Sequence, residues 1–535
     1  MNNSVIVVGA GGAALVAALN AYKSGAKVII ITKEYPTRSQ TCMAQGGINA
    51  VLSQENGDSI EIHVQNTLKS ANALADEKSV RYMCNEAPKA VKWLDSIGVP
   101  FSRTKESKIA QRKLGGAYAA RACYAQDYTG LKILHTLYDR CLEAKIEILN
   151  ERYLLEFITN KDNDNKSYVC GVSVLNKRSG EIEIYKSPSV IVATGGYSRI
   201  FHKYSTNSTA QTGDGIAAAL RAGARVSDME FIQFHPTALK NSSILISESA
   251  RGAGGYLVNS KLERFTNELA PRDEVSQAIY DEIKKGEDIY LDIRHLGAEF
   301  IENELPQEAK LAKLYENIDV LSDLIPIKPA AHYTMGGIEV DENSSTCING
   351  LFAVGECANH KIHGANRLGG NSLLELVVFG KQAGENAAIY AKNFDKEVDI
   401  TEQKTIFEKN ITIIMNYTNE MNFYENQAKL GELFYKHVGI KRDKTELQSV
   451  LDEVKKMKRN LSKMGVGDKT KEYNTNLIEF LEFKNMLEIS ELILISAINR
   501  DESRGAHFRV DFPNSDNKFM FHTVIDNNGT VSYED

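Results

Sequence analysis

Five short segments in the middle of the chain combine histidine, arginine and glutamate in a way that suits the binding of an acidic small molecule. They are Phe234-His235-Pro236-Thr237, Ser247-Glu248-Ser249-Ala250-Arg251-Gly252, Pro271-Arg272-Asp273, Ala331-His332-Tyr333 and residues 363–372, which read His-Gly-Ala-Asn-Arg-Leu-Gly-Gly-Asn-Ser. Each segment alone is more typical of a surface ion pair or of a histidine with ordinary partners than of a binding site. Together they supply three arginines and two or three histidines. Because the rigid fork of arginine matches a carboxylate, the set predicts a site for a substrate with two carboxylates.

A glycine-rich turn near the N-terminus predicts a nucleotide-binding site. Residues 5–8 (Val-Ile-Val-Val) are typical of a buried strand, and the glycines that follow open an Ala/Leu-rich helix that runs to about Ser24. Residues 27–32 then predict a second buried strand. Glycines at such a turn let a pyrophosphate approach the helix N-terminus, where free N–H groups and the helix dipole favour anions. A tightly packed helix start is the alternative interpretation.

The cofactor predicted at this turn is FAD and not NAD. An acidic ribose ligand is not cleanly present after the second strand, where the chain reads Thr32-Lys33-Glu34. Two later strands, 190–196 and 351–356, also end at glycine and indicate a larger cofactor crossing the sheet. Glu356 is placed to bind the hydroxyls of a ribityl chain. Asp214 is placed to do the same or to cap the helix that follows it.

The elements that position these residues are spread widely along the chain. A sheet built from three distant segments implies an insertion, and the most evident one lies between Ala224 and Pro329. From about Lys396 to Arg500 the pattern is long, polar and helical, which predicts an appended helical bundle. The alternation after Val510 and the turn residues 527–529 (Asn-Asn-Gly) predict a terminal hairpin.

The composition is that of an ordinary globular protein. The 535 residues include 63 basic and 70 acidic ones, and 43% are hydrophobic, which excludes disordered and collagen-like classes. The net charge of -7 and the lack of a long Lys/Arg run argue against nucleic-acid binding. The longest apolar stretch, 5–19, is too short to span a bilayer, and the uncharged start is a poor signal peptide. Seven scattered cysteines without a C-x-x-C pair predict no metal site and no disulfide framework.

Six motifs along the chain match the pattern of a known family. They are 38–47 (Arg-Ser-Gln-Thr-Cys-Met-Ala-Gln-Gly-Gly), 233–237 (Gln-Phe-His-Pro-Thr), 268–273 (Glu-Leu-Ala-Pro-Arg-Asp), 331–337 (Ala-His-Tyr-Thr-Met-Gly-Gly), 363–372 and 502–507 (Glu-Ser-Arg-Gly-Ala-His). These motifs resemble the flavoprotein subunit of succinate dehydrogenase and fumarate reductase, with L-aspartate oxidase as a near relative. They run through most of the chain and are specific at the level of the superfamily.

The resemblance implies an α/β fold in which a Rossmann-like FAD-binding domain is interrupted by an α+β capping domain. A helical C-terminal domain follows. In this chain the expected FAD-binding domain is 1–224 and 329–395, the capping domain 225–328, the helical domain 396–509, and a C-terminal extension 510–535.

The resemblance also implies interconversion of fumarate and succinate between the FAD-binding and capping domains. His235, Ser247, His332 and Arg367 are then expected to hold the dicarboxylate. Arg272 is expected to deliver a proton while the flavin N5 delivers a hydride, with protons relayed to it through Glu248 and Arg251. The expected FAD-binding residues are Gly9, Gly11, Gly12, Ala13, Thr32, Lys33, Ser39, Gln40, Thr41, Gln45, Gly46, Gly47, Ala193, Thr194, Gly195, Asp214, Glu356, Asn371, Ser372 and Leu373.

Gln40 departs from the family pattern. The resemblance places a histidine there, in Arg-Ser-His-Thr, which links covalently to the flavin 8α-methyl group. Here the motif is Arg38-Ser39-Gln40-Thr41, and an amide nitrogen is too poor a nucleophile for that bond. The FAD is therefore predicted to be non-covalent. Because the covalent link raises the flavin potential in the family, the enzyme is predicted to reduce fumarate well and to oxidise succinate poorly.

Three other interpretations stay open. L-aspartate oxidase would call for an acidic residue in an Arg-Glu-Gly-Gly-His-like loop, whereas this chain has Arg112-Lys113-Leu114-Gly115-Gly116-Ala117. The second is a silent flavin-binding assembly protein, which the intact set of charged residues disfavours. The third is a soluble fumarate reductase fed by thiols or another donor.

The expected partners of the chain follow from what its sequence lacks. Iron–sulfur ligands and membrane anchors would have to lie on partner chains, so the resemblance implies an iron–sulfur subunit and further anchor or electron-donor subunits. The expected location is the cytoplasm, with membrane association through those partners.

Overall fold

A five-stranded parallel sheet forms the centre of the computed structural model, which describes residues 3–54, 57–396, 398, 400 and 402–534. Its strands, in spatial order, are Leu351–Ala353, Ser189–Val192, Ser4–Val8, Lys27–Thr32 and Glu147–Asn150. Ile6 pairs with Val190, which pairs in turn with Leu351, so the three distant segments predicted to share a sheet do so.

Both faces of the parallel sheet are buried. Val5 and Val7 pack into a core shared with helices Gly12–Lys23 and Asn371–Asn393, while Ile6 and Val8 enter a second core on the opposite face. Side chains along a strand alternate between faces, so a strand covered on both sides reads as a continuous apolar run.

Smaller sheets and helices flank the central sheet. The antiparallel sheet Arg152–Lys161, Ser167–Asn176 and Ile182–Lys186 contributes to the second core. A further small sheet joins the two-residue strands Ile48–Asn49, Ala122–Cys123 and Gln111–Arg112. The accompanying helices are Ile60–Ser70, Glu77–Ser96, Thr129–Glu143 and Asp214–Ala222.

The insertion forms a unit with its own sheet and core, which we call the capping unit. Its antiparallel strands, in spatial order, are Ile232–Leu239, Ile325–Thr334, Ile289–Asp292 and Tyr256–Asn259. Its helices are Glu248–Gly252, Arg272–Lys284, Ala298–Glu304 and Pro306–Glu316. One strand of this sheet continues past residue 329, beyond the expected end of the capping domain. Val226–Ser227 lies inside the expected limits but pairs with strands outside this sheet. For this reason we propose limits of about 232 and 334 in place of 225–328.

Helices dominate the C-terminal part, as predicted. They are Gln403–Met415, Phe423–Leu433, Lys444–Arg459 and Thr475–Asn499. The chain ends in an antiparallel hairpin, His522–Ile525 with Val531–Glu534. This hairpin joins Val226–Ser227, Gly337–Glu339 and Ala358–Asn359 in a mixed sheet, so the C-terminal extension is part of the main body.

The predicted fold class is confirmed: an α/β domain, an inserted α+β unit and a helical region. Among the described residues, no helix has the length and apolar character needed to cross a membrane.

Candidate functional site

One cavity connects the glycine-ended strands of the parallel sheet with the capping unit. It encloses about 1640 Å³ of space, part of it open to solvent. All the predicted FAD-binding residues except Asn371 line it, and so do the four predicted substrate-binding residues. Arg272 and Glu248 also line the cavity, whereas Arg251 lies behind them. The structure therefore brings the two predicted parts of the site together.

The glycine-rich turn opens the cofactor end of the cavity. Gly9 has φ +115°, and a Cβ there would lie 2.1 Å from the Ala193 carbonyl oxygen, so only glycine allows these strands to approach. The helix beginning at Gly12 has no side-chain cap at Gly11. Its first N–H groups therefore face the cavity as an anion cradle, apart from the Gly12 N–H, which donates to Thr41 Oγ1 at 3.0 Å.

Unpartnered polar atoms show that the cofactor end fits a polar ligand. Ser39 Oγ, Thr194 Oγ1, Gln211 Oε1 and both amide atoms of Gln45 are buried with no hydrogen-bond partner in the described part of the chain. All four residues line the cavity. Buried polar groups without partners cost free energy, so a ligand rich in hydroxyl, phosphate and ring-nitrogen groups would stabilise this region. FAD is such a ligand.

Lys33, which is partly buried, and Asp214, which is buried, form an ion pair at the cofactor end. Lys33 Nζ lies 2.6 Å from Asp214 Oδ2 and 2.6 Å from Glu482 Oε1 of the helical region. The other Asp214 oxygen accepts hydrogen bonds from Tyr153 and Asn485. Burial raises the pKa of Asp214, but the Lys33 charge and the hydrogen bonds from Lys33, Asn485 and Thr212 outweigh it and lower the pKa. Asp214 thus fixes Lys33 at the wall of the cavity.

Glu356 and Gln40 are held in place by backbone contacts. Glu356 Oε1 accepts the Thr334 N–H at 3.0 Å, and burial raises the pKa of this carboxyl to about 7. Gln40 Oε1 accepts the Ser208 N–H at 2.7 Å, and its Nε2 donates to Asn207. Both side chains line the cavity, so each is oriented before any ligand binds.

Arg272 and Glu248 form the core of the substrate end. Nε and Nη2 of Arg272 donate to Glu248 Oε2 at 3.0 and 2.5 Å. Its Nη1 donates to Gln233 Oε1 at 2.9 Å, and the same oxygen accepts Arg367 Nη2 at 3.0 Å. The neutral amide of Gln233 thus orients two guanidinium groups without neutralising them. The Arg367 guanidinium lies 4.2 Å from the centre of the Tyr333 ring.

Behind this pair, Arg251 continues the row of ionised groups. Its Nη2 lies 3.9 Å from Glu248 Oε1, and its Nη1 donates to the Glu268 carbonyl. Burial raises the pKa of Glu248, but the two neighbouring arginines, Arg272 and Arg251, outweigh it and lower the pKa. A Cβ on Gly115 would lie 2.1 Å from Glu248 Oε1, so the 114–117 loop closes directly over this carboxylate.

Two histidines face each other across the substrate end, with ring centres 4.9 Å apart. Burial and the positive charge of Arg272 hold the pKa values of His235 and His332 well below the usual range, so both imidazoles are neutral at pH 7. His235 Nδ1 accepts the Thr237 N–H at 3.3 Å, which leaves the proton on Nε2 as a donor.

The substrate end carries an excess of positive charge that an anion would neutralise. Burial and the charge of Arg272 lower the pKa of Arg367 to about 10, because two like charges in one cavity disfavour each other. Arg367 Nε has no partner in the described chain. A dicarboxylate would supply both the missing acceptor and the missing negative charge.

Gln233, Tyr333 and Asn366 were not predicted as site residues from the sequence. Gln233 Nε2 donates to Asn366 Oδ1, and Asn366 Nδ2 donates to Asp273, so these amides connect the capping unit with the Arg367 loop. Each lies inside or beside a motif already singled out, and that proximity was the available signal. Asn371, by contrast, begins a helix and binds Asn49, His63 and Thr67 away from the cavity.

No cluster of three His, Cys, Asp or Glu side chains suited to a metal ion occurs in the described residues.

Comparisons with known proteins cover almost the whole chain. A family model described as "FAD binding domain" matches residues 4–373, and one described as "Fumarate reductase flavoprotein C-term" matches residues 427–535. The succinate dehydrogenase flavoprotein subunit of Rickettsia bellii is 37% identical, over 98% of this chain and 94% of the relative. The 8-methylmenaquinol:fumarate reductase flavoprotein subunit of Wolinella succinogenes is 38% identical, over 98% and 89%.

A solved structure of similar shape extends the comparison to the fold. The structure described as quinol-fumarate reductase with menaquinol molecules superposes with a TM-score of 0.94 at 36% identity. The match covers 99% of this chain and 97% of that one.

Proposed function

The chain belongs to the family of succinate dehydrogenase and fumarate reductase flavoprotein subunits, and we propose on that basis that its cavity interconverts fumarate and succinate. It is an FAD-dependent oxidoreductase of this family. The observation that carries the proposal is the pair Arg272–Glu248, joined through Gln233 to Arg367 at the cavity wall.

The residues at the substrate end have separate tasks in this proposal. Arg367 binds one carboxylate of the substrate, and His235, His332 and Ser247 donate hydrogen bonds to the other groups. Neutral imidazoles suit this task because each keeps an N–H donor without needing a counterion. A bound FAD supplies the two electrons as a hydride. The arginines also stabilise the negative charge that builds up beside a carboxylate during hydride addition.

Arg272 is the proposed proton donor, with Glu248 and Arg251 behind it. An isolated arginine hardly deprotonates, because its pKa lies above about 12. Two of its N–H groups already point at Glu248, which in turn lies 3.9 Å from Arg251. A proton lost from Arg272 can therefore be replaced along this row almost at once, which the proposal requires.

The proposed activity is tested by comparing two substrates under the same conditions. We expect the purified flavoprotein to oxidise a reduced artificial electron carrier when fumarate is added, and to form no hydrogen peroxide from L-aspartate. Leu114 lines the cavity at the loop where an ammonium-binding acid would be needed, which disfavours aspartate oxidation. Peroxide formation from L-aspartate without fumarate reduction would overturn the proposal in favour of aspartate oxidase.

We further propose that the FAD is bound without a covalent link. Gln40 lines the cavity, and its amide is already engaged by Asn207 and Ser208. Acid denaturation should release all of the flavin into the supernatant, whereas yellow colour in the washed pellet would contradict a non-covalent site.

The direction of the reaction follows from the missing covalent link. We propose that fumarate reduction is faster than succinate oxidation when both are measured with matched artificial carriers. Each ~30 mV lost from the flavin potential is worth about 1.4 kcal/mol against succinate oxidation. A succinate oxidation rate equal to the fumarate reduction rate would contradict this direction.

The proposed partners are an iron–sulfur subunit and further anchor or electron-donor subunits, which would bring the chain to a membrane. Support comes from the names of its relatives, which describe flavoprotein subunits and quinol-linked enzymes. Affinity purification from the native cells should recover an iron–sulfur protein in equal amounts with this chain. If the chain were recovered alone and were still fully active with a soluble donor, this would contradict the proposal that it works with these partner subunits.

A further inference from the structure

Two buried carboxyl groups meet where the capping unit touches the main domain. Asp127 precedes helix Thr129–Glu143 of the main domain, and Glu308 lies in the first turn of helix Pro306–Glu316 of the capping unit. Both side chains are 0% exposed. Asp127 Oδ2 accepts the N–H groups of Gln307 and Glu308 at 2.7 and 3.2 Å, so it caps that helix across the contact.

Glu308 also reaches the substrate end of the cavity. Its Oε1 accepts the Ser247 N–H at 3.0 Å. Ser247 in turn caps the short helix that begins at Glu248, because its Oγ accepts the Ser249 N–H at 2.9 Å. Glu308 therefore fixes the backbone that leads directly into Glu248 and Arg251.

Neither carboxyl has a basic partner in the described part of the chain. Asp127 Oδ1 and Glu308 Oε2 are buried without a hydrogen bond. Arg112 faces both groups, but its N–H groups donate to the carbonyl oxygens of Gln45, Gly46 and Gln126. Two negative charges at this contact would be poorly compensated, so one carboxyl is more stable with a proton.

We propose that Glu308 is a positioning residue that takes up a proton when the capping unit closes over a bound dicarboxylate. Protonated Glu308 keeps Ser247 and the helix behind it in the arrangement described above. Opening of the capping unit would expose the carboxyl to water, where it ionises. This inference rests on the proposed dicarboxylate site and adds a proton to its binding equilibrium.

The groups around Glu308 give the sign of the pH dependence. Burial, followed by the charge of Asp127, raises the pKa of Glu308 to about 8, while Arg112 opposes this shift. Burial also raises the pKa of Asp127. Among the described residues, Tyr128 also faces Asp127 and Glu308, and Tyr124 and Glu304 face Arg112.

The pKa of Glu308 is higher in the closed state than in the open state. Closure therefore takes up a proton at any pH that lies between these two pKa values. An exposed glutamate has a pKa of about 4.3, so above that value closure becomes weaker by up to tenfold for each pH unit. The weakening ends above about pH 8, where Glu308 is ionised in both states. Dicarboxylate affinity should therefore fall from pH 6 to pH 8 and then level off.

Calorimetry of succinate binding to the flavoprotein tests this inference without relying on turnover. Titrations at pH 7 in two buffers of different ionisation enthalpy give the number of protons taken up on binding. We expect about one proton for the unmodified chain and at least half a proton less for Glu308→Gln. Asp127→Asn, which keeps a capping oxygen but removes the charge, should also reduce the uptake. Glu316→Gln, at the far end of the same helix, is the matched control and should retain it.

The pH profile of the fumarate KM gives a second, independent measurement. The KM of the unmodified enzyme relative to that of Glu308→Gln should rise by up to about 50-fold from pH 6 to pH 8 and by no more than about twofold above pH 8. Flavin content and Tm would confirm that each variant is folded. Succinate binding with the same proton uptake in Glu308→Gln would overturn this inference alone. No succinate binding to the unmodified flavoprotein would instead overturn the proposed function.

Discussion

The two ends of the cavity differ in which of their groups lack partners. Within the described residues, the buried cavity atoms without a hydrogen bond at the cofactor end belong to the neutral side chains Ser39, Gln45, Thr194 and Gln211. At the substrate end they belong to charged side chains, namely Glu248 Oε1 and Arg367 Nε. The cofactor end is shaped by backbone and glycines, and a ligand completes it. At the substrate end the charges orient each other through direct contacts.

This difference separates holding a cofactor from doing chemistry. A neutral cradle binds through many hydrogen bonds of modest strength, so it fails when its shape changes. A preorganised charged site acts on the charge that develops during the reaction, so it fails when one group is replaced. Substitutions at the two ends should therefore give different defects.

The largest effect is expected at Gly9. A Cβ in Gly9→Ala would lie 2.1 Å from the Ala193 carbonyl oxygen, so the turn must shift and flavin should be lost. The flavin-to-protein absorbance ratio measures this. Gly25→Ala is the matched control, because Gly25 also has a positive φ, +88°, but open space around it. It should cost about 1–2 kcal/mol of stability and keep the flavin.

Arg272→Lys should give the opposite defect, with normal flavin and almost no turnover. Lysine keeps the charge but cannot bind Glu248 and Gln233 together through a planar fork. Losing a positioned proton donor should reduce fumarate turnover by about 10²- to 10⁴-fold. Steady-state rates normalised to flavin content measure the effect, and near-normal turnover would remove Arg272 from the donor role.

Arg367→Ala should weaken substrate binding more than it slows the reaction. Loss of a charge-assisted hydrogen bond costs about 1.5–3 kcal/mol, which corresponds to a rise in the fumarate KM of roughly 10- to 150-fold. His332→Ala should change KM in the same direction. Malonate inhibition should weaken in parallel. If the monocarboxylate crotonate were reduced as well as fumarate, the site would not recognise two carboxylates.

The smallest effect is expected at Tyr333, whose ring supports Arg367. Tyr333→Phe keeps the ring 4.2 Å from the guanidinium and removes the hydrogen bonds of the hydroxyl with Glu375 and His363. It should lower Tm and leave KM within about threefold. Tyr333→Leu removes the ring and should raise KM further, because such cation–π contacts are worth about 0.5–2 kcal/mol. Equal KM values in the two variants would show that the ring does not position Arg367.

The sequence predicted best what depends on local pattern. The first strand was expected at 5–8, and the structure has it at Ser4–Val8. The helix after the glycine turn was expected to end at about Ser24, and the structure has it at Gly12–Lys23. Apolar β-branched runs ending at glycine are sufficient for that prediction. The sharing of one sheet by three such runs was also expected, since each ended in the same way.

Pairings between distant segments were beyond local pattern. The edge strand Glu147–Asn150 is short and only partly buried, so it has little periodicity to recognise. The strand Ile325–Thr334 crosses the expected domain limit, because its partner is Ile232–Leu239, about 90 residues earlier. Likewise, the role of Gln233 depends on its position between Arg272 and Arg367 in the folded chain, which local sequence pattern does not contain.

Addition of fumarate to the reduced flavoprotein under anaerobic conditions tests the central claim most directly. The unmodified chain, reduced beforehand with dithionite and freed of excess reductant, should regain its oxidised flavin spectrum with one fumarate consumed per flavin. Arg272→Lys, with the same flavin content, should stay reduced on the same timescale. A flavin that stays reduced in the unmodified chain, or that is reoxidised equally fast in both, would contradict the account.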